Sequence, residues 1–210
     1  MPDLNRQTDD SLHTGYTRVL HARTSTMKKS VLSISLALVL NIKPAVAELP
    51  VPSAAFVHAG DASYLVNGAT GTITQNSDRA ILNWQSFNVG SGNTVNFDQP
   101  GSSSIALNRI FQNDPSRILG SINANGQIYL YNPNGFFFGK GSRFNANNIV
   151  LSSLDVDEEL FMESSVLNAI ESQAPAFFDT TGGNNTGVIN IEEGAEITAE
   201  SILMVAPEIL

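Results

Sequence analysis

The chain of 210 residues carries 11 basic and 20 acidic side chains, a formal net charge of −9, and it contains no cysteine. Such an acidic surface repels phosphate backbones, which disfavours nucleic acid as a partner. Because no disulfide framework is available, backbone pairing and apolar packing must hold the fold together.

The first predicted element is a secretory signal peptide at residues 27–47. A short basic stretch precedes the apolar run Val31–Ile42, which is shorter than the roughly 20 apolar residues of a membrane-spanning helix. Ala45 and Ala47 then satisfy the small-x-small rule for signal peptidase. We therefore expect cleavage after Ala47, which makes Glu48 the first residue of the mature chain.

The signal peptide divides the chain into three parts. Residues 1–26 are polar and lack a sustained apolar period, so they form either an extended signal region or the result of a start site placed too far upstream. Residues 48–210 amount to one domain. They hold five of the 11 basic and 17 of the 20 acidic residues, so the mature domain has a net charge of −12.

A succession of short apolar runs, separated by Asn, Gly, Ser and Asp, occupies residues 65–154. Each run has the length of a strand, and several alternate apolar with polar residues, as half-buried strands do. The predicted strands are Gly71–Thr74, Arg79–Trp84, Thr94–Phe97, Ser104–Phe111, Arg117–Ile122, Gln127–Tyr131, Phe136–Phe138 and Asn148–Leu151. Asn suits the turns between them because it tolerates left-handed backbone.

Many short strands fit a sandwich, a barrel or a solenoid. Two-residue Asn-Gly turns, which join antiparallel strands, are few among these runs, with exceptions at Asn125 and Asn134. The stretch Gly187–Pro207 has the pattern of one complete coil with a bend at Gly194, and stacked coils bury one face per rung. We therefore predict an all-β fold, a parallel β-helix (a single-stranded solenoid), with Phe56–Tyr64 as its N-terminal cap.

The segment Asp155–Phe178 interrupts this pattern with a cluster of acidic residues. Leu160, Leu167 and Ile170 are spaced as on a short amphipathic helix, and an extra-helical loop excursion fits the segment equally. Carboxylates can bind calcium, but the segment lacks an alternating Asp/Asn/Gly loop, so a solvated acidic face is favoured. We predict neither a metal nor another cofactor.

Several motifs follow one another in order through the middle of the chain. They are Asn108-Arg109, Ser116–Gly120, the strand Gly126–Tyr131, the turn Asn132-Pro133-Asn134-Gly135 and the closing strand Leu203–Pro207. Together they resemble the N-terminal two-partner secretion domain of the filamentous haemagglutinin family, also called the haemagglutination activity domain. The resemblance covers residues 64–154 and 187–207, which is most of the mature chain.

This resemblance implies a right-handed parallel β-helix and a role in secretion. Members of the family are exported by the Sec machinery and then threaded through an outer-membrane transporter, whose periplasmic domains recognise the N-terminal domain. The β-helix forms outside the cell, and a longer remainder carries adhesion, haemolysis or toxin delivery, including any contact with host-cell glycans or receptors. The implied location is the surface or surroundings of a Gram-negative bacterium, reached through the periplasm.

The same resemblance marks six positions for transporter recognition: Asn108, Arg109, Asn132, Pro133, Asn134 and Gly135. Local chemistry gives these positions structural roles as well. Proline fixes φ near about −65°, and Asn-Gly supplies positive φ, so the four-residue motif is also a suitable β-helix corner. Arg109 is one of five cations in the acidic mature domain, so pairing with a carboxylate is its structural alternative.

Three consecutive aromatic residues follow the turn. Because a strand alternates faces, Phe136 and Phe138 share one side and Phe137 lies on the other. We expect the first two to stack in the core and Phe137 to be covered by the cap or the acidic segment. A sugar-binding aromatic platform is the functional alternative.

Enzymes that cleave polysaccharides also use parallel β-helices, and their sites need carboxylates that face a cleft. Asp78, Asp98 and Asp114 all have turn-like neighbours, and His58 is the one histidine of the mature domain. The sequence contains no G-x-S-x-G, H-E-x-x-H, P-loop or dinucleotide motif. We predict that the chain is not an enzyme, with a free-standing β-helical carbohydrate-binding adhesin or a polysaccharide lyase as alternatives.

The last residues of the sequence also allow a prediction. The sequence stops at Leu210 just after a predicted strand, with the apolar ending APEIL. Solenoids normally shield their last coil with a polar cap. We therefore expect the opening part of a longer exoprotein, or a truncated product.

Overall fold

The computed structural model describes residues 18–23, 48–163, 177–179 and 181–210. The predicted signal peptide lies outside these ranges, as do Leu167 and Ile170 of the predicted amphipathic helix. Within the described ranges the single helix is α1 (Glu158–Glu163), which has six residues. No helix there is long and apolar enough to cross a membrane.

Three sheets form the walls of the molecule. Sheet A contains β1 (Arg18–Arg23), β2 (Val51–Ala59), β5 (Arg79–Ser86), β7 (Ile105–Ile110), β10 (Gln127–Tyr131), β13 (Asn148–Ser152) and β18 (Ser201–Ala206). Sheet B contains β3 (Ala62–Asn67), β4 (Thr70–Gln75), β6 (Thr94–Asp98), β9 (Ser121–Ala124), β12 (Arg143–Asn145) and β17 (Glu196–Thr198). Sheet C contains β8 (Ser116–Ile118), β11 (Gly135–Phe138), β16 (Val188–Ile191) and β19 (Glu208–Ile209). The pair β14 (Asp155–Val156) and β15 (Phe177–Phe178) lies outside these walls.

Each coil contributes one strand to sheet B, then one to sheet A, then one to sheet C, as β9, β10 and β11 do. The stacked strands of successive coils are parallel, and the chain completes about five turns. Because parallel pairing is in register, equal positions of successive coils lie above one another. The predicted all-β parallel β-helix is therefore confirmed, and the stretch Gly187–Pro207 forms one coil from β16, β17 and β18.

The core runs along the axis of the solenoid as ladders of inward-facing side chains. On sheet B one ladder contains Val95, Ile122, Phe144 and Ile197, each at most 1% exposed. Alternation along each strand places every second side chain inside. Burial of apolar surface, at about 25 cal/mol per Å², is the main stabilising contribution of such ladders.

The N-terminal end of the solenoid is closed by β2 and β3, which confirms the predicted cap. Both pair antiparallel, β2 with β5 and β3 with β4. The rings of Phe56 and Tyr64 lie 4.9 and 5.1 Å from the Trp84 ring, and burial raises the pKa of Tyr64 to about 12. The turn between β3 and β4 is Gly68-Ala69, directly after Asn67, so one Asn-Gly pair of the chain does lie in an antiparallel hairpin.

Two strand predictions differ from the structure. The predicted strand Arg117–Ile122 is two strands, because the chain turns a corner after β8 and begins β9 at Ser121. A Cβ atom at Gly120 would lie 2.3 Å from the Asn93 carbonyl oxygen, so this corner needs glycine. Upstream of the signal peptide, β1 pairs antiparallel with β18, a strand that the polar composition of residues 1–26 did not predict.

Candidate functional site at a corner of the solenoid

The two motifs that carry the family resemblance meet at the corner between sheets A and C. Asn108 and Arg109 are adjacent residues of β7, and the turn at residues 132–135 connects β10 to β11. A shallow cleft of about 290 Å³ is lined by members of both motifs, including Arg109, Pro133 and Asn134. The structure therefore brings together positions that are about 25 residues apart in the sequence.

Asn108 faces the interior and is fully buried. Its neighbours in the inward ladder are Leu82 and Leu130, so an amide occupies an otherwise apolar stack. Trp84 Nε1 donates a hydrogen bond of 2.9 Å to Asn108 Oδ1, and Asn108 Nδ2 donates one of 3.3 Å to the Tyr129 carbonyl. Buried polar groups need such partners, and these bonds link the ring beneath the cap to the next two coils.

Arg109 faces outward from the same strand. Its Nη2 lies 2.7 Å from Asp155 Oδ2, and its Nη1 contacts the Glu158 carboxylate. Glu158 Oε2 also lies 3.0 Å from His58 Nε2 in β2. The prediction that Arg109 pairs with a carboxylate is confirmed, and both partners come from the acidic segment.

The turn at residues 132–135 is closed by internal hydrogen bonds and is closely packed. The Gly135 amide donates a 2.8 Å hydrogen bond to the Asn132 carbonyl, and the Asn134 amide donates one of 2.9 Å to Asn132 Oδ1. Gly135 has a φ of +86°, and a Cβ atom there would lie 2.1 Å from the Val188 carbonyl oxygen. Position 135 therefore requires glycine for two independent reasons.

Amide side chains continue this corner from coil to coil. Asn132 Nδ2 donates to Ser116 Oγ at 3.0 Å, and Asn134 Nδ2 donates to the Gln112 carbonyl at 2.8 Å. Gln112 Nε2 in turn donates to Asn88 Oδ1 at 3.4 Å. Asn88 and Gln112 were not among the residues predicted from the sequence. The signal that could have found them is an amide recurring one coil earlier, 24 and 22 residues apart along the chain.

The expected first mature residue, Glu48, is held by the first coil, and its carboxylate reaches Asn88 at the same corner. The Glu48 carbonyl accepts hydrogen bonds from the Gly90 amide at 2.8 Å and from Asn93 Nδ2 at 2.9 Å. Its carboxylate accepts one from Asn88 Nδ2 at 2.8 Å. Ala45 and Ala47 lie outside the described residues, so cleavage between Ala47 and Glu48 stays a prediction.

The three aromatic residues of β11 are arranged as predicted, but the cover of the middle one is different. Phe136 and Phe138 are buried and their rings stack at 6.4 Å. Phe137 faces outward and is covered by Arg117, whose Cζ lies 4.9 Å from the ring centre. The expectation that the cap or the acidic segment covers Phe137 is wrong, because β8 places Arg117 directly beside it in register.

The carboxylates considered for an enzymatic site are not grouped. Asp78 and Asp98 are exposed where sheet B strands turn towards sheet A, whereas Asp114 is exposed at the opposite corner. His58 belongs to the cap and contacts Glu158. Among the residues that the structure describes, no group of three or more His, Cys, Asp or Glu side chains could hold a metal ion.

Comparison with known proteins identifies similar domains. The family described as TPS secretion domain matches residues 50–209. Two heme/hemopexin-binding proteins of Haemophilus influenzae, one from strain Rd, are 37% identical over 86 residues and 33% identical over 106 residues. These matches cover 41% and 50% of this chain but 9% and 12% of the relatives, so the chain spans about a tenth of their length. The crystal structure of the HMW1 secretion domain from Haemophilus influenzae matches 64% of this chain and 35% of that one, with 31% identity and a TM-score of 0.51.

Proposed function

Because this chain belongs to the TPS secretion domain family, we propose that an outer-membrane two-partner secretion transporter recognises it and exports the exoprotein to which it belongs. The family establishes the coarse function, a secretion domain of an exoprotein, and the coarse location, the cell surface of Gram-negative bacteria. The finer steps are export by the Sec machinery, passage through the periplasm and recognition by periplasmic domains of the transporter.

The observation that carries this proposal is the placement of the motif side chains. Asn108 and Asn132 are both fully buried, and Gly135 is packed against the next coil. A transporter cannot contact these three residues once the solenoid has formed, whereas Arg109, Pro133 and Asn134 still line the surface cleft. We therefore infer that recognition precedes folding, and that in the folded domain the same residues fix the corner between sheets A and C.

Folding outside the cell would then follow from the architecture. Each completed coil presents three free backbone edges on which the next coil can pair. The cap closes the opposite end, so growth has one direction. The absence of cysteine suits passage as an unfolded chain, because no disulfide can trap a partly folded intermediate in the periplasm.

We propose residues 48–210 as the mature domain after signal removal, which the hydrogen bonds to Glu48 support. Contacts with host-cell glycans or receptors belong, in this proposal, to the rest of the exoprotein, because the chain spans so little of its relatives. The proposed role is binding and folding rather than catalysis. The ungrouped positions of Asp78, Asp98 and Asp114 support that choice over a polysaccharide lyase.

A binding experiment tests recognition before folding. Purified periplasmic domains of the cognate transporter would be immobilised, and residues 48–210 would be added either folded or freshly diluted from urea. We expect the unfolded chain to bind at least about tenfold more tightly, since binding then requires no unfolding. Equal binding of the folded chain would contradict recognition before folding. If neither form bound, recognition by the transporter itself would be contradicted.

A further inference from the structure

An apolar stripe on the outer face of sheet A is buried, although it faces away from the core of the solenoid. Its side chains stack in register, one from each coil: Ile81, Leu107, Tyr129, Val150 and Leu203. All of them are at most 1% exposed. Outward-facing residues of a solenoid wall are normally solvated, so another segment must cover this stripe.

The described residues packed against this stripe include Asp155–Glu163, which contains β14 and α1 and is called the strap below, and Phe177 of β15. Phe161 of the strap is fully buried, and its ring lies 5.8 Å from the Tyr129 ring. Arg79 Nη1 donates a 2.7 Å hydrogen bond to the Phe161 carbonyl. A helix of six residues is too short to be stable alone, so these contacts with sheet A hold it in place.

The polar contacts of the strap reach back to the first coils. The strap follows β13 in the fourth coil, yet Glu158 contacts His58 of the cap, and both Asp155 and Glu158 contact Arg109 in the second coil. These partners are 100, 46 and 49 residues away along the chain. Two adjacent residues of β7 are therefore connected to the cap. Inside the solenoid, Asn108 bonds Trp84, which contacts the cap rings; outside it, Arg109 pairs with Glu158, which contacts His58.

We propose that the strap docks onto sheet A after the first four coils have stacked. Arg109 holds the docked strap through its ion pairs, and docking fixes the N-terminal cap to the solenoid. The order follows from the contacts. Loops of 46 to 100 residues are entropically costly to close in an unfolded chain, and the apolar stripe exists only once the coils are in register. Docking of the strap therefore occurs after the folding transition state. An interaction that forms this late slows unfolding and leaves the refolding rate unchanged.

Stopped-flow kinetics of residues 48–210 test whether the strap docks late, with Trp84 beneath the cap as the fluorescent reporter. The variants are Phe161→Ala and the milder Glu158→Gln. The matched control is Arg143→Gln, which removes the exposed pair of Arg143 with Glu196, 3.4 Å apart. We expect both strap variants to unfold at least about tenfold faster and to refold within about twofold of the wild-type rate. The control should leave both rates unchanged, because exposed ion pairs contribute little.

Hydrogen exchange on the Glu158→Gln variant gives a second readout that general destabilisation would not reproduce. We expect faster exchange of the β2 amides, with β13 amides protected as in the wild type. Slower refolding with unchanged unfolding would show that the strap docks early and would overturn the proposal. Unchanged exchange in β2, or an equal rate increase in the Arg143 control, would overturn it as well. None of these outcomes depends on a transporter, so they are independent of the proposed function.

Discussion

At the scale of single residues, the most informative side chain is a polar one inside the core. Asn108 stands between Leu82 and Leu130 in an inward ladder, where a third leucine would fit the apolar pattern. It is tolerated because its amide is fully paired, and it is useful because one of those partners is the indole N–H of Trp84. A position that sequence resemblance marks for recognition is therefore also a structural position.

Asn108→Leu should destabilise the domain by about 1–3 kcal/mol, because the Trp84 N–H would be left buried without a partner. The cost should fall by about 1 kcal/mol or more in a Trp84→Phe background, where that donor is absent. Urea unfolding followed by circular dichroism measures all four members of the cycle. Additive costs would contradict the assigned hydrogen bond.

The cap contains a buried tyrosine hydroxyl, that of Tyr64. The Tyr64 hydroxyl is buried and has no hydrogen-bond partner among the described residues, and its pKa rises to about 12 from 10.0. The folded state thus disfavours ionisation, so this contribution to stability is complete below pH 10 and is lost as the pH rises from about 10 to about 12.

Tyr64→Phe removes both the unpaired hydroxyl and this titration. We expect the variant to be as stable as the wild type or more stable at pH 7, and to lose less stability than the wild type between pH 8 and pH 10.5. Urea midpoints at the three pH values provide the comparison, and the remaining tyrosines affect both proteins equally. An identical loss in both proteins would show that the Tyr64 hydroxyl is solvated.

At the scale of elements, corners rather than strands specify this fold. A strand of the solenoid needs only alternating or continuous apolar residues, which many sequences supply. A corner must place the next strand in register, and here the turn at residues 132–135 does so through positive φ and close packing. The amide side chains of the turn then donate to backbone carbonyls of the preceding coil, Asn132 Nδ2 to that of Asp114 and Asn134 Nδ2 to that of Gln112.

Gly135→Ala should cost more than about 3 kcal/mol, since it combines an unfavourable φ with a clash against the Val188 carbonyl. Gly141→Ala is the matched control, because Gly141 has a similar φ of +81° but open space around its Cβ position. The control should cost only about 1–2 kcal/mol. Equal destabilisation of the two variants in urea would mean that packing at the corner contributes nothing.

Much of this element-level picture could be predicted from the sequence, and the remainder depends on distant contacts. Strand periodicity and the single coil at residues 187–207 were predictable because neighbouring residues determine them. The break at Gly120 was not, since it depends on the Asn93 carbonyl in the preceding coil. The carboxylate partners of Arg109 were also hidden, because an acidic cluster 46 to 49 residues downstream looks like any solvated surface.

At the scale of the whole molecule, the domain is a short solenoid that is closed at one end by β2 and β3. At the other end β17 and β19 are edge strands, and β18 pairs with β1, which lies upstream of the expected cleavage site. The cap and the ion pairs of the strap with His58 and Arg109 both act on the first coils. This arrangement fits a domain that folds first and on which a longer chain then assembles.

Secretion of a tagged chain from a Gram-negative host, with and without its cognate transporter, tests whether this is a two-partner secretion domain. We expect the tagged domain to reach the medium only when the transporter is present, and its first residue there to be Glu48. Release without the transporter, or retention in the periplasm despite it, would contradict a two-partner secretion domain.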